Sequence, residues 1–131
     1  MPVVWSAPVR FVEADQQGVV FNAHYLTWAD EACTAWFAAV GTSYDALLAQ
    51  GLDTRVRAST LEWSSPARYG DVVELDVTCE RVGATSWVVL TAVRVGERTC
   101  CTVRTTYVLV DAASQPVRVP EGLRTAWTGT S

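Results

Sequence analysis

From Ala23 to Val40 the chain is mostly apolar, without glycine or proline, and His24, Thr27, Glu31 and Thr34 recur at intervals of three, four and three. That period is helical. The spacing predicts one long helix with a narrow polar stripe, wrapped by protein on most of its other sides. Asn22 stands where an N-cap residue belongs, and Gly41 where a C′ glycine ends a helix. Before the helix, Glu13 to Gly18 reads as a polar turn, with Val19-Val20-Phe21 as a short apolar run after it.

Residues 3–12 read as a first strand, and Pro8 suits its start or a sheet edge. Thr42-Ser43-Tyr44-Asp45 opens a second, short helix that Gly51 closes. From Arg55 onward the period falls to two. Strands are expected over Arg55–Trp63, Val72–Val82, Ser86–Val95 and Arg98–Val110. In the second of these Val73, Leu75, Val77 and Cys79 share one face, and Glu74, Asp76, Thr78 and Glu80 the other. The third is apolar on both faces and is expected to be central. Gly96-Glu97 is a hairpin signal, and the tail after Val117 reads as a short strand and a helical turn near Glu121–Trp127. One long apolar helix and a run of antiparallel strands make an α+β fold, in a single domain over residues 1–131. A sheet of about five to six strands buries such a helix most simply by curling around it.

Composition narrows the function. Half of the 131 residues are hydrophobic and six are tryptophan, more than packing of a small core demands, which points to an apolar ligand pocket or a subunit contact. The net charge is −4 with no basic run, so neither a nucleic-acid nor a membrane partner is expected. All ten basic residues are arginine, a pattern that genome base composition explains and that also suits gripping phosphates or carboxylates. The four cysteines, Cys33, Cys79, Cys100 and Cys101, form no CxxC pair and sit in apolar surroundings; buried thiols in a reducing cytoplasm are expected. The opening MPVVWSAPVRF has no charged lead or long apolar core, so no signal peptide is expected. No apolar run reaches the roughly 20 residues a membrane helix needs.

Several chemistries drop out. With one histidine, His24, a multi-histidine metal site is not available, and no Gly-rich phosphate loop occurs. What remains is a carboxylate, Asp15, on a turn just before a helix N-terminus. The first amides of a helix are unpaired and carry the positive end of its dipole, so they can hold an oxyanion. A nearby carboxylate can activate water or attack directly. Acyl transfer to water fits these parts, although a lone loop Asp is equally an ordinary turn residue.

Asp15 to Tyr25, DQQGVVFNAHY, resembles the active-site motif of the 4-hydroxybenzoyl-CoA thioesterase family of hotdog-fold proteins, roughly D-x-x-G-[VI]-V-[FY]-x-x-x-Y. Ser65 to Val77 is similar to that family's P-x-x-Y-G-D segment, and Pro116 to Trp127 to its C-terminus. The resemblance implies a hotdog fold and hydrolysis of an acyl-CoA or acyl-carrier-protein thioester, without a metal or redox cofactor. Asp15 then falls on the catalytic base or nucleophile, and Asn22 on the residue whose backbone N–H faces the thioester carbonyl. Gly18, Val20, Phe21, His24 and Tyr25 fall beside the substrate. His24 lies two residues after the position where some relatives carry histidine, which leaves it a local hydrogen-bonding or pocket role; Glu31 is the second carboxylate only in relatives that place theirs on the helix. Thr60 and Trp63 are expected as walls of the acyl pocket, with Trp28 and Trp36 as further candidates for an aromatic slot. Arg68, Arg81 and Arg118 are candidates for the phosphates of coenzyme A. The resemblance also implies a homodimer or homotetramer with its site at a subunit boundary. The alternative is a non-catalytic module of this fold that binds acyl or aromatic ligands.

Overall fold

The computed structural model describes residues 2–128. In chain order these form β1 (Trp5–Pro8), a 3-10 turn (Phe11–Glu13), α1 (Asn22–Ala39), α2 (Tyr44–Ala49), β2 (Asp53–Trp63), β3 (Val72–Val82), β4 (Ser86–Val95), β5 (Arg98–Val110) and α3 (Glu121–Thr128). The five strands make one antiparallel sheet in the order β1-β3-β4-β5-β2. β4 is central, as its two apolar faces predict, and the short β1 carrying Pro8 lies at an edge. β3, β4 and β5 have the expected bounds. In the tail the expected strand is reduced to a single bridge between Val110 and Pro116, while the helical turn extends to α3.

The sheet curls around α1. Tyr25, Trp28, Ala29, Ala32, Cys33, Trp36 and Phe37 recur at intervals of three and four, and all are buried. They pack with Val73, Leu75, Val89, Val93 and Val103 from the inner faces of β3, β4 and β5. Each such aliphatic side chain contributes about 1.5–3 kcal/mol on full burial. Behind them Trp87 stacks on Tyr107 at 5.5 Å and meets Trp127 at 4.3 Å, with Phe37 and Trp36 completing an aromatic cluster. The outer flank of α1 is wider than its polar stripe predicts: Ala23 and Leu26 are exposed beside Thr27, Asp30, Glu31 and Thr34.

Two helix boundaries inform the site. Gly41, at φ +88°, ends α1 in the left-handed conformation expected of it. At the other end the cap residue is Phe21, not Asn22, which becomes the first helical residue. Phe21 is held extended because its N–H donates to the Glu13 carbonyl at 2.9 Å. Among the described residues no side chain caps this helix start.

Candidate active site

The segment before α1 is a miniature antiparallel ladder. Phe21 N–H bonds the Glu13 carbonyl, Ala14 bridges Val20, and Asp15 N–H donates to the Val19 carbonyl at 2.8 Å. The chain reverses within Asp15–Gly18, where Gly18 N–H returns to the Asp15 carbonyl at 2.9 Å with φ at +79°. Asp15 therefore lies two rungs, roughly 7 Å along the ladder, from the residue that caps α1. Its side chain is half-buried, and Oδ1 accepts the Gln17 N–H at 2.7 Å. Among the described residues Oδ2 receives no hydrogen bond.

Glu13 anchors the ladder and is not part of a solvated turn, as its polar neighbours led one to expect. It is 3% exposed. Its Oε1 accepts the Arg10 backbone N–H at 2.7 Å, and Oε2 accepts Arg10 Nη2 and Trp28 Nε1, each at 3.1 Å. Burial pushes the Glu13 carboxyl up, but the hydrogen bonds from Arg10 and Trp28 outweigh it and hold the group below its ordinary value.

The second motif closes on the first. Val20 N–H donates to the Ala67 carbonyl at 2.9 Å, Val19 bridges Arg68, and Ala67 N–H donates to the Tyr25 hydroxyl at 3.1 Å. The 66–71 turn is tied internally by Arg68 N–H to Asp71 Oδ2 at 2.9 Å. Arg98 clamps it from the start of β5, with Nη1 on Ser65 Oγ at 2.9 Å and on the Pro66 carbonyl at 2.8 Å. No local spacing announces Arg98, which lies some thirty residues away along the chain. Glu13 had a signal, a carboxylate two residues before Asp15, but its partner Trp28 is fifteen residues on.

The remaining expected residues divide. Tyr25 is buried, and burial pushes its phenol up. Trp63 lies beside it, with ring centroids 6.3 Å apart. Thr60 faces the other way. It pairs with exposed Arg104, whereas Ser59 and Leu61 pair with buried Thr105 and Val103. Residues 60 and 63 are an odd number of positions apart in one strand and cannot share a face. His24 lies edge-on to Phe21, and Glu31 borders a groove on the β1 side of α1. Trp36 belongs to the aromatic cluster at the far end of the helix. Arg68 is at the Asp15 end of β3, whereas Arg81 ends that strand and Arg118 follows β5, next to Val119, whose N–H donates to Ala84. The length of β3, about 30 Å, separates them, so within one chain these three arginines do not line one groove.

Two surfaces could hold a ligand near Asp15. Phe11, Val12, Phe21, Trp63, Tyr69 and Val72 are large hydrophobics left exposed on the segments around the ladder. Along the β2 side of α1 runs a groove of about 440 Å³, from Ala23 and Leu26 to Asp30, Val56 and Tyr107. Two of the cysteines are poor nucleophiles: burial pushes the Cys33 thiol up to about 12 and Cys101 up to about 11. Among the described residues no cluster of His, Cys, Asp and Glu could hold a metal ion, and no helix is long and apolar enough to cross a membrane.

Residues 9–127 match the thioesterase-like superfamily. The chain belongs to that superfamily. The matched range takes in both joined motifs and stops one residue short of the end of α3. Over 84 residues the chain is 31% identical to the acyl-CoA thioester hydrolase YbgC of Escherichia coli O6:H1, covering 64% of this chain and 63% of that protein. The likeness thus spans less than two thirds of the curated relative. The superfamily's hotdog architecture is shared with TT1821 of Thermus thermophilus, with a TM-score of 0.90 and 23% identity over 99% of this chain and 100% of that one. It is shared too with Slr0204 of Synechocystis, a 1,4-dihydroxy-2-naphthoyl-CoA thioesterase, with a TM-score of 0.82 and 18% identity over 95% and 93% of the two chains.

Proposed function

We propose that this chain hydrolyses acyl-CoA or acyl-carrier thioesters, with Asp15 as general base or nucleophile. The observation that carries this reading is the ladder that holds the Asp15 turn against an uncapped helix start. The thioester carbonyl sits at the first turn of α1, where the N–H of Asn22 is an orphan donor. In the general-base route Asp15 takes a proton from water as the oxygen attacks the carbonyl carbon. The oxyanion is held by the Asn22 amide. Collapse breaks the C–S bond, the proton passes from Asp15 to the thiolate, and acid and thiol leave. In the nucleophilic route Asp15 itself forms the C–O bond, the C–S bond breaks and the thiolate leaves. Water then opens the anhydride, giving the acid, restoring the Asp15 carboxylate and releasing a proton that the thiolate takes up.

The name of the E. coli relative supports coenzyme A as the thiol. We assign the groove beside Ala23 and Leu26 to the acyl group, and Arg68, which bridges Val19 next to the Asp15 turn, to the nucleotide phosphates. The reaction needs no metal or redox cofactor. A homodimer or homotetramer in the cytoplasm is the proposed setting; in such an assembly Arg81 or Arg118 would serve the site of another subunit.

Replacing Asp15 by Asn tests the reading. Thiol release from a panel of aromatic, short and long acyl-CoA thioesters should fall by about 10²-fold or more with the fold intact. Wild-type turnover in that variant would sink the role of Asp15, and binding without turnover by the native chain would make it a ligand-binding module. A single turnover in ¹⁸O-water that yields unlabelled acid and leaves the label on Asp15 identifies the nucleophilic route, because water attack on the Asp15 carbonyl of the anhydride leaves an Asp15 oxygen on the product.

A further inference from the structure

We infer that Glu13 is a positioning residue whose buried carboxylate sets the register of the Asp15 turn against the start of α1. This rests on the proposed hydrolysis and names a further residue for it.

Glu13 touches α1 at two places. Its carbonyl takes the N–H of Phe21, the cap, and its Oε2 takes the indole N–H of Trp28, nearly two turns into the helix. One contact would fix a distance and leave a hinge. Two contacts, one at the helix start and one on its flank, also fix rotation. The second oxygen is bonded by the backbone N–H of Arg10, the cap of the 3-10 turn two residues past β1, so the carboxylate is also tied to its own turn. Asp15 is only two residues on, and its own N–H is the last rung of the same ladder.

A carboxylate at 3% exposure costs desolvation energy that an apolar side chain there would avoid. Packing alone therefore does not account for it. A planar acceptor with two oxygens can collect donors from three directions in one geometry, which leucine or methionine cannot. Catalytic groups tolerate displacements of only about 0.5 Å, and the backbone rungs at Phe21 and Val19 tie the turn only to the segment entering α1, whereas the Glu13 side chain ties it to the helix flank. The guanidinium of Arg10, itself 71% exposed, closes the carboxylate's outer side.

The test uses the full chain with Glu13→Gln and Trp28→Phe. The first keeps shape but turns an acceptor into a donor facing Arg10 and Trp28; the second removes one donor and leaves the Arg10 contacts. For the thioester turned over best, kcat should fall about 10–100-fold in Glu13→Gln and less in Trp28→Phe, with KM within about threefold of wild type. Amide exchange supplies a readout independent of turnover. The amides of Asp15, Gly18 and Phe21 should exchange at least about tenfold faster, while those of Val89 and Thr91 in β4 keep wild-type protection. A merely structural glutamate would lower the melting temperature, with kcat and local exchange unchanged well below it; that result overturns the inference, as does faster exchange with unchanged kcat. If the native chain releases no thiol from any thioester, the hydrolase reading fails, and the exchange measurement alone decides whether Glu13 holds the turn.

Discussion

The backbone N–H of Ala67 donates to the hydroxyl of Tyr25 at 3.1 Å, although forty-two residues separate them. Both groups are buried, and the bond joins the first turn of α1 to the segment that opens β3. Its neighbour, Val20 N–H to the Ala67 carbonyl, satisfies the other side of the same peptide unit. The two sequence motifs are thus one structural unit.

Tyr25→Phe should therefore cost stability. It leaves the buried Ala67 amide without a partner, a loss of about 1–3 kcal/mol. For a chain of this size each kcal/mol lowers the melting temperature by roughly 3–5 °C. Thermal and urea melts check this, and a shift below about 2 °C would show that the amide finds another acceptor.

Glu13 should make stability depend on pH in a defined direction. Its folded value lies below the ordinary carboxylate value, so on acidification the unfolded chain takes up this proton first. Stability from Glu13 is complete at pH above the unfolded value of about 4.3 and drains away as pH falls through the folded value. The gap in urea midpoint between wild type and Glu13→Gln should be wide near pH 7 and narrow toward about pH 3. A gap independent of pH would mean that the ionised form gains nothing from its partners.

Thiol labelling should be uneven. Cys33, Cys100 and Cys101 are buried, whereas Cys79 is partly exposed. A chromogenic disulfide reagent should modify at most Cys79 readily in the native chain and all four thiols after denaturation. Rapid modification of Cys33 in the native state would contradict its burial.

Arg68→Ala should raise KM for a coenzyme A thioester several-fold and leave KM unchanged for a truncated thioester without the nucleotide. Arg118→Ala, at the other end of β3, should have the same effect only if the site is shared between subunits. Steady-state kinetics of both variants on both substrates check this. Equal effects on the two thioesters would remove Arg68 from phosphate binding.

What was legible in the sequence follows how local each cause is. β3 alternates, β4 is a continuous apolar run, and both end at turn residues, so their bounds could be read directly. Gly41 could be placed because helix termination is a backbone property of one residue. The shift of the α1 cap from Asn22 to Phe21 could not, since a hydrogen bond that Phe21 donates to the carbonyl of a residue eight positions earlier imposes it. Glu13 looked like turn material because its burial depends on Trp28. That Thr60 and Trp63 lie on opposite faces of β2 was available in the sequence as strand parity. The arginines were grouped by charge and nearness to turns, and neither property says at which end of a strand a residue lies.

Five of the six indoles fall into two populations, and the sixth, Trp5, borders the same groove as Trp28 and Glu13. Trp36, Trp87 and Trp127 are crowded together beyond the middle of α1, whereas Trp28 is bonded to a buried anion and Trp63 stands half-open beside Tyr25. Intrinsic fluorescence therefore carries two channels: a quenching titration reports on events near the acid turn through Trp28 and Trp63, and the spectral shift on melting reports loss of the remote cluster. A single-tryptophan set built on this division would let occupancy and unfolding be followed in one cuvette without any attached dye.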